Sequence, residues 1–222
     1  PRRCKAKPDR GVAGNRQSDR TMNADTSDSR PKWTAIVLAG QRPGPDRLAA
    51  HFGETWKALV TIDGEPMLTR VVRTLTATPA VARTIVLAQD PNALQQAASD
   101  GGTVDFCPSS AGISQSILRV AGGEKAPWPV LVTTADHPLL TPSIVSAFIE
   151  QAGHGDVSIG MVERQVMHAT YPENRRTWLK FSDGHWSGAN LFALNSEAAR
   201  GALNLWSQAE KKNKKRRKKE RM

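Results

Sequence analysis

Three stretches of the chain concentrate residues able to handle phosphate. In the first, Leu38, Ala39 and Gly40 close an apolar run, Arg42 follows two positions later, and Lys57 opens the next apolar segment. Small residues let a backbone approach a phosphate and aim N–H groups at it. An arginine at position 42 adds a charge-assisted contact suited to a triphosphate. Lys57, a compact cation, suits the charge that develops on an α-phosphate under attack. In the second stretch, Asp136 ends the apolar run VLVTTAD and is followed by His137 and Pro138. In the third, Arg175, Arg176 and Lys180 lie among aromatics in YPENRRTWLKFSDGHWSG. That composition suits a small molecule carrying phosphate, or else a solvated basic hairpin.

Chemistry of this kind needs strands that end at one edge. WTAIVLAG (33–40) reads as a buried parallel strand closing in a small-residue turn, and VLVTTAD (130–136) as a second one. Between them, KALVTIDG (57–64) reads as a short strand and turn. PMLTRVVRTLTA (66–77) reads as a helix with Met67, Val71 and Leu75 on one face, and RTIVLA (83–88) as a strand. PNALQQAAS (91–99) is predicted helical, TVDFC (103–107) a strand, GISQSILRVAG (112–122) an amphipathic helix, and TPSIVSAFIEQA (141–152) a helix capped by Thr141. Such alternation implies right-handed crossovers and a three-layer α/β fold with a mostly parallel sheet. VSIGMVER, TWLKFSDG and SGANLFAL are strand-like and less regular, which allows antiparallel pairing there. A last helix is expected over 197–206.

Taken together, IVLAGQRPGPDRL and WKALVTIDGEPMLTRVV resemble the N-terminal signature of the MobA-like nucleotidyltransferase superfamily: a strand, L-A-G, a loop with Gly and Arg, then K-A-L-x-x-x-x-G-x-P-M-L. The resemblance extends over about residues 33–195 and implies a Rossmann-like, GT-A-type fold. It further implies transfer of NMP from an NTP to a phosphorylated sugar, alditol or cofactor, with release of pyrophosphate. A glycine turn after a strand can be only a turn, so L-A-G alone decides nothing; its combination with the K-A-L and G-E-P-M-L segment carries the argument. The family often has a second basic residue and Gly-Gly or Ser in this loop, whereas here the stretch reads GQRPGPDRLAAHFGE, with Pro43 and Pro45 expected to fix it. Where Gly44, Asp46 and Arg47 stand relative to the phosphates is left open.

By the same resemblance, VLVTTADHPLLTP is the second signature, whose Asp, here Asp136, holds Mg²⁺. That ion prefers hard oxygen ligands and takes few from protein; an Asp capping the turn before Pro138 is the plainer alternative. His137 is expected to be structural, because nucleotidyl transfer needs no side-chain base when the attacking phosphate is already anionic. Gly112, Ser114 and Ser116 match a G-x-x-x-S segment that contacts the nucleoside, although an ordinary capped helix fits nearly as well. Asn190, in SGANLFAL, matches the second metal ligand of related sugar-nucleotide enzymes. Together these imply Arg42 and Lys57 at the triphosphate, Asp136 and Asn190 at Mg²⁺, and Arg175 and Arg176 at the acceptor. Molybdenum-cofactor guanylyltransferase is the nearer alternative within the family, while the K-A-L-x-x-x-x-G-E-P-M-L segment reads closer to the sugar- or alditol-phosphate branch. A glycosyltransferase of the same fold would show an Asp-x-Asp motif, which is lacking around Asp136.

Charge suggests a rival of another class. The chain of 222 residues carries a net +10, as a nucleic-acid binder might be expected to. Yet residues 211–221 hold 9 basic side chains and one Glu, and residues 1–32 hold 9 basic and 4 acidic ones. What remains, 33–210, has 13 basic and 16 acidic residues, so the segment with hydrophobic periodicity is mildly acidic. The terminal basic block lacks the aromatics that stack on bases, which leaves non-specific contact as its expected role. Residues 1–32 lack large apolar side chains and are expected to be disordered, with Met22 a natural start; 33–206 is expected to be one domain and 207–222 a solvated tail. Relatives are expected to continue past Trp206 with a further helical portion. Cys4 and Cys107 are far apart and without metal-ligand spacing, which points to a reducing cytoplasm. No run of about 18 apolar residues offers a membrane span.

Overall fold

The structure, a computed structural model, describes residues 32–219. Expectations about 1–31, including Met22 and Cys4, lie outside the described residues. Seven strands form one sheet in the order β5 (Asp105–Pro108), β4 (Val81–Ala88), β1 (Trp33–Leu38), β6 (Val130–Thr134), β9 (Gly184–Leu194) and β7 (Val157–Glu163), with β8 (Leu179–Phe181) also on β9. Pairing is parallel from β5 to β6 and antiparallel at each contact of β9, so β9 runs against the other six strands. The irregular segments expected to pair antiparallel do so.

Alternation along the central strands explains the layers. Ala35 and Val37 face one side of β1 and Ile36 the other, as the two-residue period of a strand demands. On the first side they meet Leu68, Val71, Val72 and Leu75 of α2 (Met67–Thr76), Leu94 and Ala98 of α3 (Pro91–Gly101), and Val145 of α5 (Pro142–Ala152). On the second side, Ile117 of α4 (Ile113–Leu118) and Ala199 and Leu203 of α7 (Ala199–Lys219) cover Ile85, Leu87 and Val132. Helices on both faces of a mostly parallel sheet give the expected three-layer α/β fold. Thr141 caps α5 by accepting from the Ile144 amide at 3.3 Å, and Asp90 caps α3 through the Ala93 amide at 3.2 Å.

Several boundaries differ from expectation for local reasons. Lys57–Leu59 is a single 3-10 turn, and the strand expected after it is half of a hairpin, β2 (Thr61–Ile62) with β3 (Glu65–Pro66). Asp63 and Gly64 form its turn with φ of 50° and 78°, the left-handed pair that an Asp-Gly loop supplies. Two short helices were not foreseen, α1 (Arg47–His51), capped by Asp46, and α6 (Arg164–Thr170). The amphipathic stretch 112–122 is helical only to Leu118, after which Ala121 bridges to Ala126. The last helix does not stop at Trp206: α7 begins at Ala199 and runs to Lys219, through the boundary expected between domain and tail. Among the described residues no helix is long and apolar enough to cross a membrane.

Candidate active site

Strand order fixes where a site can form. From β1 the chain moves outward to β4 and β5, then returns to the other side of β1 as β6. The reversal falls between β1 and β6, and in open α/β sheets ligands bind beyond the carboxyl ends of the strands at such a point. Leu38 ends β1 there, and its carbonyl accepts from Ala135 at 3.0 Å, which brings Asp136 beside the Gly40 turn. The Ala39 amide, expected to face a phosphate, is engaged in the sheet, donating to Leu87 at 2.9 Å. Gln41 donates its amide to Gln89 Oε1 at 2.8 Å. Of the amides at 39–41, only that of exposed Gly40 has no partner among the described residues.

Lys57 Nζ donates to Asp136 Oδ2, closing an ion pair across 79 positions of sequence. The two side chains stay 36% and 31% exposed, so the pair lies within reach of a ligand. Burial by itself raises the Asp136 carboxyl, but the hydrogen bond and charge of Lys57 hold it below its ordinary value. His137 moves down as well: burial disfavours the imidazolium and Arg176 repels it, against the opposing pull of Asp136. Its Nδ1 lies 3.3 Å from the Thr133 hydroxyl. The imidazole is half-buried and tied to β6 by this contact.

Two residues that sequence reasoning passed over organise this edge. The carboxamide of Gln89, just beyond β4, meets both backbone polar groups of Gln41, since its Nε2 also donates to the Gln41 carbonyl at 2.6 Å. The Gln41 side chain then accepts from the Lys57 amide at 3.0 Å and donates to the Thr55 carbonyl at 2.9 Å. The available signal was the long polar Gln41 directly after L-A-G, where the turn pattern favours a small residue, and Gln89 as the first polar residue after RTIVLA.

Across β6 the other candidates are less tightly held. Arg176 donates from Nε to the Ser187 hydroxyl at 3.0 Å and from Nη2 to the Gly188 carbonyl at 2.7 Å, which anchors it on β9 near His137. Arg42 and Arg175 are exposed and have no ion-pair or hydrogen-bond partner among the described residues. Asn190 has a left-handed φ of 52°, a conformation that asparagine tolerates better than most residues. It lies in a bulge where β7 pairing jumps from Ile159↔Phe192 to Met161↔Gly188. Since the β6–β9 ladder ends at Thr133↔Leu191, the next residue, Asn190, comes level with the end of β6 ahead of Asp136.

The expected nucleoside contacts stand differently. Ser116 is buried, its hydroxyl accepting from the Ser110 amide at 2.7 Å and donating to the Gly112 carbonyl at 2.8 Å. The hydroxyl of Ser114, also buried, donates to Glu210 Oε2 of α7 at 2.7 Å. A Cβ on Gly112 would come within 2.7 Å of that same oxygen, the end of a flexible side chain. Here, therefore, Ser114 joins α4 to α7 while Ser116 ties α4 to the turn before it, and both hydroxyls are occupied. Among the described residues no three His, Cys, Asp or Glu side chains gather as a metal site.

Comparison with known proteins agrees with this fold. The MobA-like NTP transferase domain matches residues 35–214, which carries the domain well into α7. No curated protein sequence matches the chain. A hypothetical transferase from Thermus thermophilus is 27% identical, with a TM-score of 0.65 over 80% of this chain and 71% of that one. The 4-diphosphocytidyl-2C-methyl-D-erythritol synthase of Anaerococcus prevotii is 10% identical, with a TM-score of 0.57 over 80% and 76%. A CMP:2-keto-3-deoxy-manno-octonic acid synthetase complexed with CTP is 18% identical, with a TM-score of 0.55 over 80% and 78%. The latter two share the fold alone. With the family model matched over most of the chain's length, the chain belongs to the MobA-like NTP transferases and is a nucleotidyltransferase of the GT-A-like fold.

Proposed function

We propose that the chain transfers the NMP part of an NTP to a small phosphorylated acceptor, a sugar- or alditol-phosphate, with release of pyrophosphate. The observation that carries this reading is the Lys57–Asp136 pair at the strand-order reversal, beside the open Gly40 amide. An acceptor phosphate oxygen attacks the α-phosphorus, forming a new P–O bond as the bond to the β-phosphate bridge breaks and pyrophosphate leaves with the electron pair. Lys57 supplies positive charge where the α-phosphate gains negative charge, Gly40 offers an N–H, and exposed Arg42 meets the outer phosphates. Arg176, fixed on β9, and Arg175 beside it present cations to the acceptor phosphate.

Magnesium fits the donor set. An ionised carboxylate at Asp136 and the amide oxygen of Asn190 are hard ligands, and with no third acidic or imidazole ligand gathered among the described residues the protein would supply few. When bound, the ion would neutralise phosphate charge. The reading is tested by incubating the full chain with ATP, GTP, CTP or UTP, Mg²⁺ and a panel of sugar- and alditol-phosphates, with molybdopterin as a separate arm. Pyrophosphate released with one NTP and one phospho-acceptor supports it, while turnover confined to molybdopterin transfers the assignment to the cofactor branch. No release with any combination overturns it.

A further inference from the structure

Gln41 is the only residue of the loop whose four polar groups are all engaged in the bonds described above. Its backbone N–H and C=O go to Gln89, at 2.8 and 2.6 Å, and its side chain spans to Thr55 and Lys57, at 2.9 and 3.0 Å. The contacts run in series across the carboxyl edge, from the end of β4 through the turn after β1 to Lys57, and from the Lys57 ammonium to Asp136 after β6. Lys57 lies 16 residues beyond Gln41 and opens a 3-10 turn whose Ala58 is buried, and its ammonium sits on a flexible side chain with four carbons. A lysine that neutralises a transition-state charge contributes only if its ammonium is held where the charge appears.

We infer that Gln41, locked by Gln89, is the positioning residue for Lys57. It touches no reacting atom. The side-chain carboxamide acts as a peptide-like rung, giving an acceptor to the Lys57 amide and a donor to the Thr55 carbonyl. The open loop is thereby set before nucleotide arrives. A small residue at position 41 could make neither bond. Neither Pro43 nor Pro45 has an N–H to donate in its place.

The kinetic arm of the test rests on the transfer reading above; the spectroscopic arm does not. Gln41→Ala, Gln41→Asn and Gln89→Ala are made in the full chain and checked for wild-type circular dichroism. The lysine side-chain ¹H–¹⁵N signal of Lys57, assigned by its loss in Lys57→Arg, is followed without nucleotide. In Gln41→Ala and Gln89→Ala it is expected to move toward its position in Asp136→Asn, while other lysine signals stay in place. In turnover, kcat is expected to fall about 10- to 100-fold, with the KM for NTP changed less than about threefold. If Gln41→Ala does not fold, Gln89→Ala and Gln41→Asn decide, since each leaves part of the rung in place. A Lys57 signal that stays put in the folded variants overturns the inference, as does an unchanged kcat. Absence of turnover in the wild type, with the Lys57 signal still responding to Gln41, counts against the transfer reading and leaves the coupling established.

Discussion

The two sides of the strand-order reversal are built in opposite ways. On the β1 side, polar contacts run without a break from Gln89 through Gln41 and Lys57 to Asp136. On the β9 side, Arg176 is anchored, but Arg175 and all three residues of β8 are exposed, with Leu179 and Phe181 at 50% and 55%. On the proposed reading the rigid half handles the α-phosphate and the open half the acceptor, and changes on exposed strands cost little stability.

Breaking the rigid half should have the largest effect. Lys57→Ala is expected to lower kcat about 10²- to 10³-fold, as loss of a charge-stabilising donor does elsewhere, with the acceptor KM nearly unchanged. The same substitution should raise the Asp136 carboxyl from its depressed value, since the hydrogen bond and charge of Lys57 are lost, and carboxyl ¹³C titration would show the rise. On the open half, Arg176→Ala should raise the acceptor KM about tenfold, or about 1.4 kcal/mol, and leave the NTP KM alone. Equal effects of the two substitutions on both substrates would erase the contrast.

Titration sharpens it further. Asp136 is depressed in the folded chain, so its contribution to stability is complete above 3.8 and is lost as pH falls through the lowered value. His137 is also depressed, which means the unfolded chain takes up its proton first. Stability from keeping His137 neutral is therefore complete above 6.5 and lost as pH falls through the folded value. Denaturant melts of His137→Gln should lack that slope just below 6.5. The smallest effect expected is from Ser114→Ala, about 1 kcal/mol of stability for one hydrogen bond to Glu210, seen as a lower midpoint with unchanged kcat. A loss of nucleotide affinity instead would return Ser114 to the nucleoside contact that the family pattern implies.

How legible each half was follows from the same contrast. Fully apolar runs such as WTAIVL and VLVTT announce a buried parallel sheet, and their acidic and glycine ends announce the edge where ligands bind. Lys57 and Asp136 were readable because their motifs flank those strands. The Gln41–Gln89 lock was not, since it joins two elements 48 positions apart, and Gln41, though inside the L-A-G loop, is not a residue to which the pattern gives a role. Ser114 and Ser116 were legible as a segment but not in their contacts, because Glu210 comes from a helix whose basic composition suggested a solvated tail. Asn190 could be placed on its strand, while its left-handed bulge depends on two neighbouring ladders that no local pattern encodes.

If transfer chemistry is centred on the Lys57–Asp136 pair, pyrophosphate release at saturating NTP and acceptor will show it in the wild type, Lys57→Ala, Asp136→Asn and the double variant. Each single variant is expected to lose most of kcat and the double variant little more, as two groups acting as one unit require. Wild-type rates in either single variant, or losses that simply multiply in the double, would contradict it.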